Sequence, residues 1–423
     1  VGQVTNLRVR ESDPGLRADL EAVPPAPQPL SYAAVRQLLR GRSLPCALLD
    51  LDLLEWNARD MLRRAAGRPI RLGTKSIRSV EVLRFTMALS ERFTGLLCYT
   101  AREAAWLAGL GFDDLVVAYP TVDRADIDAA LDAAGGGTRI ALMVDDPAQL
   151  AALGAAAAAR GTILPVSIDL DMSTRFRFLY FGVMRSPVRD AAAAVTLARE
   201  IARYPYLRLD GLMGYESQVA GLPDDAPGAR VKNAIVRGLK SRSLRDIAPR
   251  RRLATEALKE AGFSLRFVNG GGTGSLESTA CDVAVTDIAA GSGLYGPALF
   301  DGFRAFSPAP ALTFALPIVR RPQPGTFTCL GGGYVASGSA GPNRLPQPYL
   351  PAGARLLGAE GAGEVQTPIT YRGAETLKIG DPIVFRHAKA GELGERFERM
   401  LVIRGGHVTG EYTTYRGDGK CFV

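Results

Sequence analysis

The sequence predicts an α/β protein, a (β/α)8 TIM-type barrel followed by a C-terminal all-β domain. Three observations carry this reading. Eight apolar segments of strand length alternate with Ala/Leu/Arg-rich stretches of helical period. Two glycine-rich turns follow the last two of those segments, at the barrel end where functional loops gather. Past Phe306 the helical period stops, because Pro308, Pro310, Pro317, Pro322 and Pro324 interrupt it and only short strand-like runs remain. The expected organisation is an N-terminal extension over 1–45, a barrel over 46–306 and a β domain over 307–423. A chain of 423 residues accommodates this at roughly 100–200 residues per domain.

In chain order, the run Pro24-Pro25-Ala26-Pro27-Gln28-Pro29 leads into a short helix, Tyr32 to Leu39. Cys46–Leu51 stands outside the barrel count and is a candidate to pair with the β domain; a helix around Leu54–Ala66 follows it. The eight barrel strands are Ile70–Gly73, Gly95–Cys98, Leu115–Ala118, Arg139–Met143, Leu164–Ile168, Leu209–Met213, Leu265–Val268 and Val285–Ala289. Helical stretches such as Ala101–Ala108, Arg124–Ala134, Pro147–Ala159 and Arg189–Tyr204 fill the gaps. A doubly wound sheet is the alternative, but it would stop near roughly five to seven strands. In the β domain, Phe314–Val319, Arg355–Leu357, Pro382–Phe385 and Met400–Ile403 read as strands, and Gly331–Gly353 as a loop.

Composition narrows the function classes. With 47% hydrophobic and 22% charged residues the chain can bury an ordinary core. It has no run of about 18 apolar residues, so no membrane span is expected, and Val1–Arg10 lacks the apolar region of a secretory signal. Five cysteines far apart fit neither a disulfide framework nor a zinc pair and point to a reducing cytoplasm. The net charge is +8, and the densest basic run, Arg230 to Arg252, reads as a solvated pair of outer helices. It carries no interleaved aromatics or reader motif, so nucleic acid is not an expected partner.

The strand ends hold the chemistry. Strand one ends in Thr74-Lys75-Ser76; strand five in Asp169 and Asp171, with Arg175 shortly after; strand six in Gly214-Tyr215-Glu216. Strand seven runs into Asn269-Gly270-Gly271-Gly272-Thr273-Gly274-Ser275, and strand eight into Ala290-Gly291-Ser292-Gly293-Leu294-Tyr295-Gly296. Backbone N–H groups approach an anion closely only where side chains are absent, and Thr or Ser hydroxyls add donors. One such turn is an ordinary tight turn; two at the last strands point to a phosphate. No lysine follows the glycines where a P-loop needs it. Lys75 alone would read as a surface lysine with a packed stem. Opposite a phosphate site, a lysine able to bind an aldehyde describes pyridoxal phosphate.

These features resemble the alanine-racemase-like (fold type III) pyridoxal phosphate enzymes, within them the D-threonine aldolase and D-serine dehydratase group, and there the amino acid deaminase/aldolase branch. The resemblance runs over roughly 45–420. It rests on Arg71-Leu72-Gly73-Thr74-Lys75-Ser76-Ile77-Arg78-Ser79, Gly182-Val183-Met184-Arg185-Ser186-Pro187, Val268 to Ser275, and His387-Ala388-Lys389-Ala390-Gly391-Glu392-Leu393. It implies a Schiff-base role for Lys75, contact of Arg175 with the pyridoxal hydroxyl, and Tyr215 lining the cofactor. Gly271, Gly272, Thr273, Ser292, Gly293 and Tyr295 are the implied phosphate site. Ala289 stands where racemases place an arginine under the pyridine nitrogen, which counts against a racemase.

The resemblance also implies a divalent metal on His387 and a ligand two residues later, but Lys389 occupies that position, and a protonated lysine has no lone pair. Either His387 recruits another ligand such as Glu392 or Cys421, or the ion is absent, Lys389 fills its space and His387 acts directly as base. The spacing favours the second. His407 is expected to be structural or exposed.

The function expected is retro-aldol Cα–Cβ cleavage of a β-hydroxy D-amino acid through Lys75, with His387 as base and Arg175 stabilising the phenolate oxygen. The alternatives are β-elimination of the same substrate class, racemisation, and a non-catalytic pyridoxal phosphate carrier. The resemblance implies a homodimer.

Overall fold

The computed structural model describes residues 24–422; the expectation about Val1–Arg10 and most of the extension lie outside the described residues. Two sheets organise the chain. Strand β1 (Cys46–Asp50) opens the described sheet structure, and its Asp50 side chain caps the helix Leu51–Arg64 by accepting from the N–H groups of Asp52 and Leu53. The same device starts the helices after Ser79, Thr100, Asp123, Asp146 and Asp190, each satisfying otherwise orphaned donors at about 1 kcal/mol per cap.

The barrel begins with β2 (Ile70–Gly73) and continues through β3 (Phe93–Cys98), β4 (Leu115–Val117), β5 (Ile140–Val144) and β6 (Leu164–Asp169). A small antiparallel hairpin, β7 (Thr174–Phe176) and β8 (Leu179–Phe181), interrupts the alternation. Then β9 (Leu207–Gly214), β10 (Phe267–Gly270) and β11 (Asp287–Ala290) complete a closed eight-stranded parallel barrel, with β11 pairing back to β2. The predicted barrel is borne out. Its strands are near-continuous apolar runs because both faces are buried, the inner one around Val116, Ala141, Met143, Met213 and Phe267. At one level the barrel interior is polar: Arg71, 1% exposed, pairs with Asp114 and Asp287.

The second sheet is built from β12 (Leu312–Gln323), β13 (Thr326–Leu330), β14 (Gln347–Leu350), β15 (Ala354–Leu356), β16 (Gln366–Tyr371), β17 (Pro382–Arg386), β18 (Arg399–Arg404) and β19 (His407–Thr413). Strand β1 lies inside it, antiparallel to β12 and parallel to β18. The chain therefore starts in the C-terminal sheet, passes through the barrel and returns. One buried cluster runs continuously from barrel to sheet.

The basic run departs from expectation. Arg230–Glu260 is one helix with Pro249 inside it, not a pair. A mid-helix proline costs about 3 kcal/mol. Here Val236, Lys240, Ser243, Ile247, Arg251, Ala254 and Leu258 keep three- and four-residue spacing across the proline and stay buried, so packing offsets the break. No helix among the described residues is long and apolar enough to cross a membrane.

Candidate active site

A cavity of about 500 Å³ opens at the C-terminal ends of the barrel strands. Lys75 enters it from the short 3-10 turn Thr74–Ser76 that ends β2, with Thr74 anchored beneath through its hydroxyl on the Leu97 carbonyl. Contacts from three directions fix the turn. Arg78 donates to the Lys75 carbonyl at 3.1 Å and pairs with Glu395. Tyr295 donates to the Ile77 carbonyl at 2.8 Å. Gly391, at φ +99°, lies so close that a Cβ there would fall 2.0 Å from the Lys75 carbonyl oxygen, a place only glycine fits. The C-terminal sheet domain thus clamps the loop that carries the amine.

The Lys75 Nζ donates to the Tyr119 hydroxyl at 3.1 Å. Burial raises the Tyr119 phenol, but the positive charges of Lys75 and Arg185 outweigh it and hold the group below its ordinary value. Arg185 stands 5.3 Å from the centre of the Tyr119 ring and 5.2 Å from that of Tyr215. Behind it, burial pushes the Asp169 carboxyl up to about 7 against the opposing charge of Arg185, whose Nε is 3.9 Å away. Tyr215 lines the cavity and burial pushes its phenol up to about 12.

Opposite Lys75 lie the two glycine-rich turns. Gly271, Gly272, Thr273 and Ser292 line the cavity. The turns are tied together: the Thr273 and Ser292 hydroxyls are 3.2 Å apart, and the Gly293 N–H donates to Thr273 Oγ1. The Gly271 and Gly272 N–H groups donate to Glu216 and to Ser275 Oγ. The amides of Gly271, Gly272 and Gly293 therefore build the turns themselves, and Thr273 and Ser292 bring hydroxyl donors to the cavity wall. A Cβ on Gly293 would fall 2.7 Å from the Thr273 methyl, so glycine there lets the two turns approach each other, while one on Gly272 would reach Ala220 at 2.9 Å and one on Gly291 the Gly73 carbonyl oxygen at 2.6 Å.

Beneath the first turn is a buried charge network that the sequence did not disclose. Glu216, 1% exposed, accepts from the Gly271 N–H and from the hydroxyls of Ser275 and Thr279. Arg251, also 1% exposed, pairs with Glu216 at 2.9 Å, with Asp282, and with the Gly214 carbonyl. It belongs to the run read as solvated. Only its position on the buried stripe of the helix could have singled it out.

Three expected roles are corrected. Arg175 is not in this cavity: it sits exposed on β7, over the Tyr180 ring, because the β7–β8 hairpin carries it outward before the chain returns with Arg185. Tyr295 offers no hydroxyl to an anion, since its buried side chain is spent on the Ile77 carbonyl. His387 is 2% exposed and packs edge-on against Tyr295, with the Leu312 backbone beside its ring. Burial, reinforced by the charge of Arg386, pushes its imidazole down to about 3, so it is neutral and sealed from the cavity. Among the described residues no three or more His, Cys, Asp or Glu converge as ligands for a divalent ion, and His387 is not among the residues lining the cavity. Lys389 does line the cavity, its Nζ donating to the Ser337 carbonyl at 2.9 Å, with Glu392 beside it. His407 is exposed.

The family model described as alanine racemase, N-terminal domain, matches residues 49–298. A 3-hydroxy-D-aspartate aldolase of Paracoccus denitrificans (strain Pd 1222) is 29% identical over 233 residues, 55% of this chain and 54% of that protein. A D-threonine aldolase of Arthrobacter sp is 26% identical over 292 residues, 67% of this chain and 69% of that one. The match thus spans about half the length of the first of these relatives. Among solved structures, D-threonine aldolase from Filomicrobium marinum aligns with a TM-score of 0.75 at 21% identity, covering 89% of this chain and 95% of the other. D-threo-3-hydroxyaspartate dehydratase from Delftia sp. HT23 aligns at 0.69 and 20% identity, covering 89% and 98%. At these identities the structural likeness speaks for the fold.

Proposed function

The chain belongs to the alanine racemase N-terminal domain family, and from that premise we propose that it is a pyridoxal phosphate-dependent lyase cleaving the Cα–Cβ bond of β-hydroxy D-amino acids. One observation carries the reading: the Lys75 amine shares a cavity with the two glycine-rich turns after β10 and β11. The substrate class is supported by the aldolase names of the curated relatives.

The residues present fit the cofactor. Lys75 would hold its aldehyde carbon, Thr273 and Ser292 its phosphate, and the glycines leave room for close approach. When bound, pyridoxal phosphate supplies an electron sink for the pair released from the breaking bond. The remaining work falls to side chains of the cavity. Tyr119, hydrogen-bonded to Lys75 and held toward its ionised form, accepts the β-hydroxyl proton in place of His387. Arg185 sets the charge around Tyr119 and Tyr215, and Lys389 brings a second cation to the wall contributed by the β domain. No step uses a divalent ion. A cytoplasmic homodimer completes the proposal, supported on the first count by the free thiols of Cys98 and Cys329.

Borohydride reduction of cofactor-loaded protein, followed by peptide mass spectrometry, tests the assignment. An adduct on Lys75 is expected; an adduct elsewhere, or none, overturns it. Product analysis then separates the reactions: aldol cleavage releases an aldehyde and glycine, whereas elimination releases a keto acid and ammonia.

Two substitutions test the cavity side chains. Arg185→Ala is expected to lower kcat/KM by roughly 10–100-fold, the loss of a charged hydrogen-bonding group at about 1.5–3 kcal/mol. Arg175→Ala should leave steady-state kinetics unchanged; the reverse result would return the role to the hairpin. Tyr119→Phe should cut kcat by about 100-fold. Because a base must be deprotonated, wild-type kcat should rise with pH through the lowered Tyr119 ionisation, below the ordinary tyrosine value. The Phe variant should lose that limb, and a profile identical to wild type would exclude Tyr119 as the base.

A further inference from the structure

A second depression, about 1000 Å³ and sharing no lining residue with the cavity, lies between the β7–β8 hairpin and the long helix Arg230–Glu260. Five arginines line it: Arg175, Arg189, Arg242, Arg245 and Arg250. Its two carboxylates are already engaged. Asp171 accepts from Tyr180 and the Ser173 N–H and lies 3.4 Å from Arg189, and Asp246 accepts from Thr174 and pairs with Arg250 at 3.1 Å. Arg175, Arg242 and Arg245 have no carboxylate partner among the described residues, only the rings of Tyr180 and Phe176 beneath Arg175 and Arg242. The Arg250 Nε is buried without a hydrogen-bond partner. Ser241 adds a hydroxyl and Phe176 an apolar plate.

An ordinary solvated charge run alternates signs and balances itself along a helix face. This stripe does so only once, where Asp246 pairs with Arg250: Gly238, Ser241, Arg242 and Arg245 line the same concave wall, and there positive charge is left over. Guanidinium forks match phosphate oxygens bidentately, and several converging at one concavity hold an anion more tightly than any one of them.

We propose that this basin is a binding site for a small multivalent phosphate compound, separate from the catalytic cavity. Three arginines without carboxylate partners call for at least a comparable number of negative charges, which a single carboxylate does not carry. The volume suits a small molecule. This assignment does not rest on the proposed reaction.

Calorimetric titration with inorganic pyrophosphate tests it on three proteins: wild type, the double variant Arg242→Glu/Arg245→Glu, and the cavity variant Arg185→Ala. Arg242 and Arg245 are exposed, so the double variant should keep its thermal midpoint. The expected result is binding by wild type and by Arg185→Ala, with affinity at least roughly tenfold weaker in the double variant. Equal affinity in wild type and the double variant, or a loss that follows Arg185→Ala instead, overturns the proposal. So does tighter binding of citrate or of a single-stranded oligonucleotide than of pyrophosphate, which would assign the basin to carboxylates or to nucleic acid.

Discussion

Lys75→Ala is expected to abolish turnover, by at least about 10²–10⁴-fold, while the protein stays folded. The two halves of this expectation have separate physical grounds. The Lys75 side chain is exposed within the cavity and, among the described residues, its only close polar partner is the Tyr119 hydroxyl, so removing it strands no buried charge. The elements that shape the turn are backbone contacts and neighbours: the Thr74 hydroxyl, Arg78 on the Lys75 carbonyl, and Gly391 against that same carbonyl. None needs the amine. Circular dichroism and the thermal midpoint should match wild type, and the reducible adduct should vanish. Loss of folding along with activity would show the lysine to be structural. Full activity in the variant would remove the covalent chemistry from the proposal altogether.

The barrel was legible because its signal is the strongest a sequence offers: apolar runs repeated eight times with helices between. The missed strands lack that signal for identifiable reasons. β14 contains Pro348 and pairs with β17 alone among the described residues, and β16 contains Pro368, residues that argue against a strand when read alone. Along β19 most side chains are exposed or half exposed, so no apolar alternation marks it. Lys75 and the glycine turns were legible for the same reason the barrel was, since the ends of strands are where a barrel collects its chemistry. Tyr119 falls under that rule too, following β4 directly, and the rule applied to that strand would have found it. Arg175 and Arg185 differ by a hairpin of two three-residue strands, too short for periodicity to register. His387 could be placed only by folding: one residue separates it from Lys389, yet the cavity receives Lys389 and the core receives His387.

The other large effect is expected where sequence said least. Arg251→Ala should destabilise the protein by roughly 3–5 kcal/mol, the usual result of breaking a buried ion pair by removing one partner. Glu216 and Asp282, 1% and 3% exposed, would both be left without the guanidinium that compensates them. Against a total stability of about 5–15 kcal/mol, such a loss brings the fold near its limit. The damage should also be local, because Glu216 holds the Gly271 N–H and the hydroxyls of Ser275 and Thr279 in place, and these shape the turn that ends in Thr273. Glu216→Gln separates the two effects. It keeps an oxygen for the Gly271 N–H and the size of the side chain, but weakens the tie to Arg251 and changes the partners offered to Ser275 and Thr279. Its denaturation midpoint should fall less than that of Arg251→Ala, while its affinity for pyridoxal phosphate, read from spectroscopic titration, should still drop. If Arg251→Ala unfolds at the wild-type midpoint, the network is not what holds the turn. If Glu216→Gln binds cofactor as wild type does, the turn keeps its shape without the carboxylate.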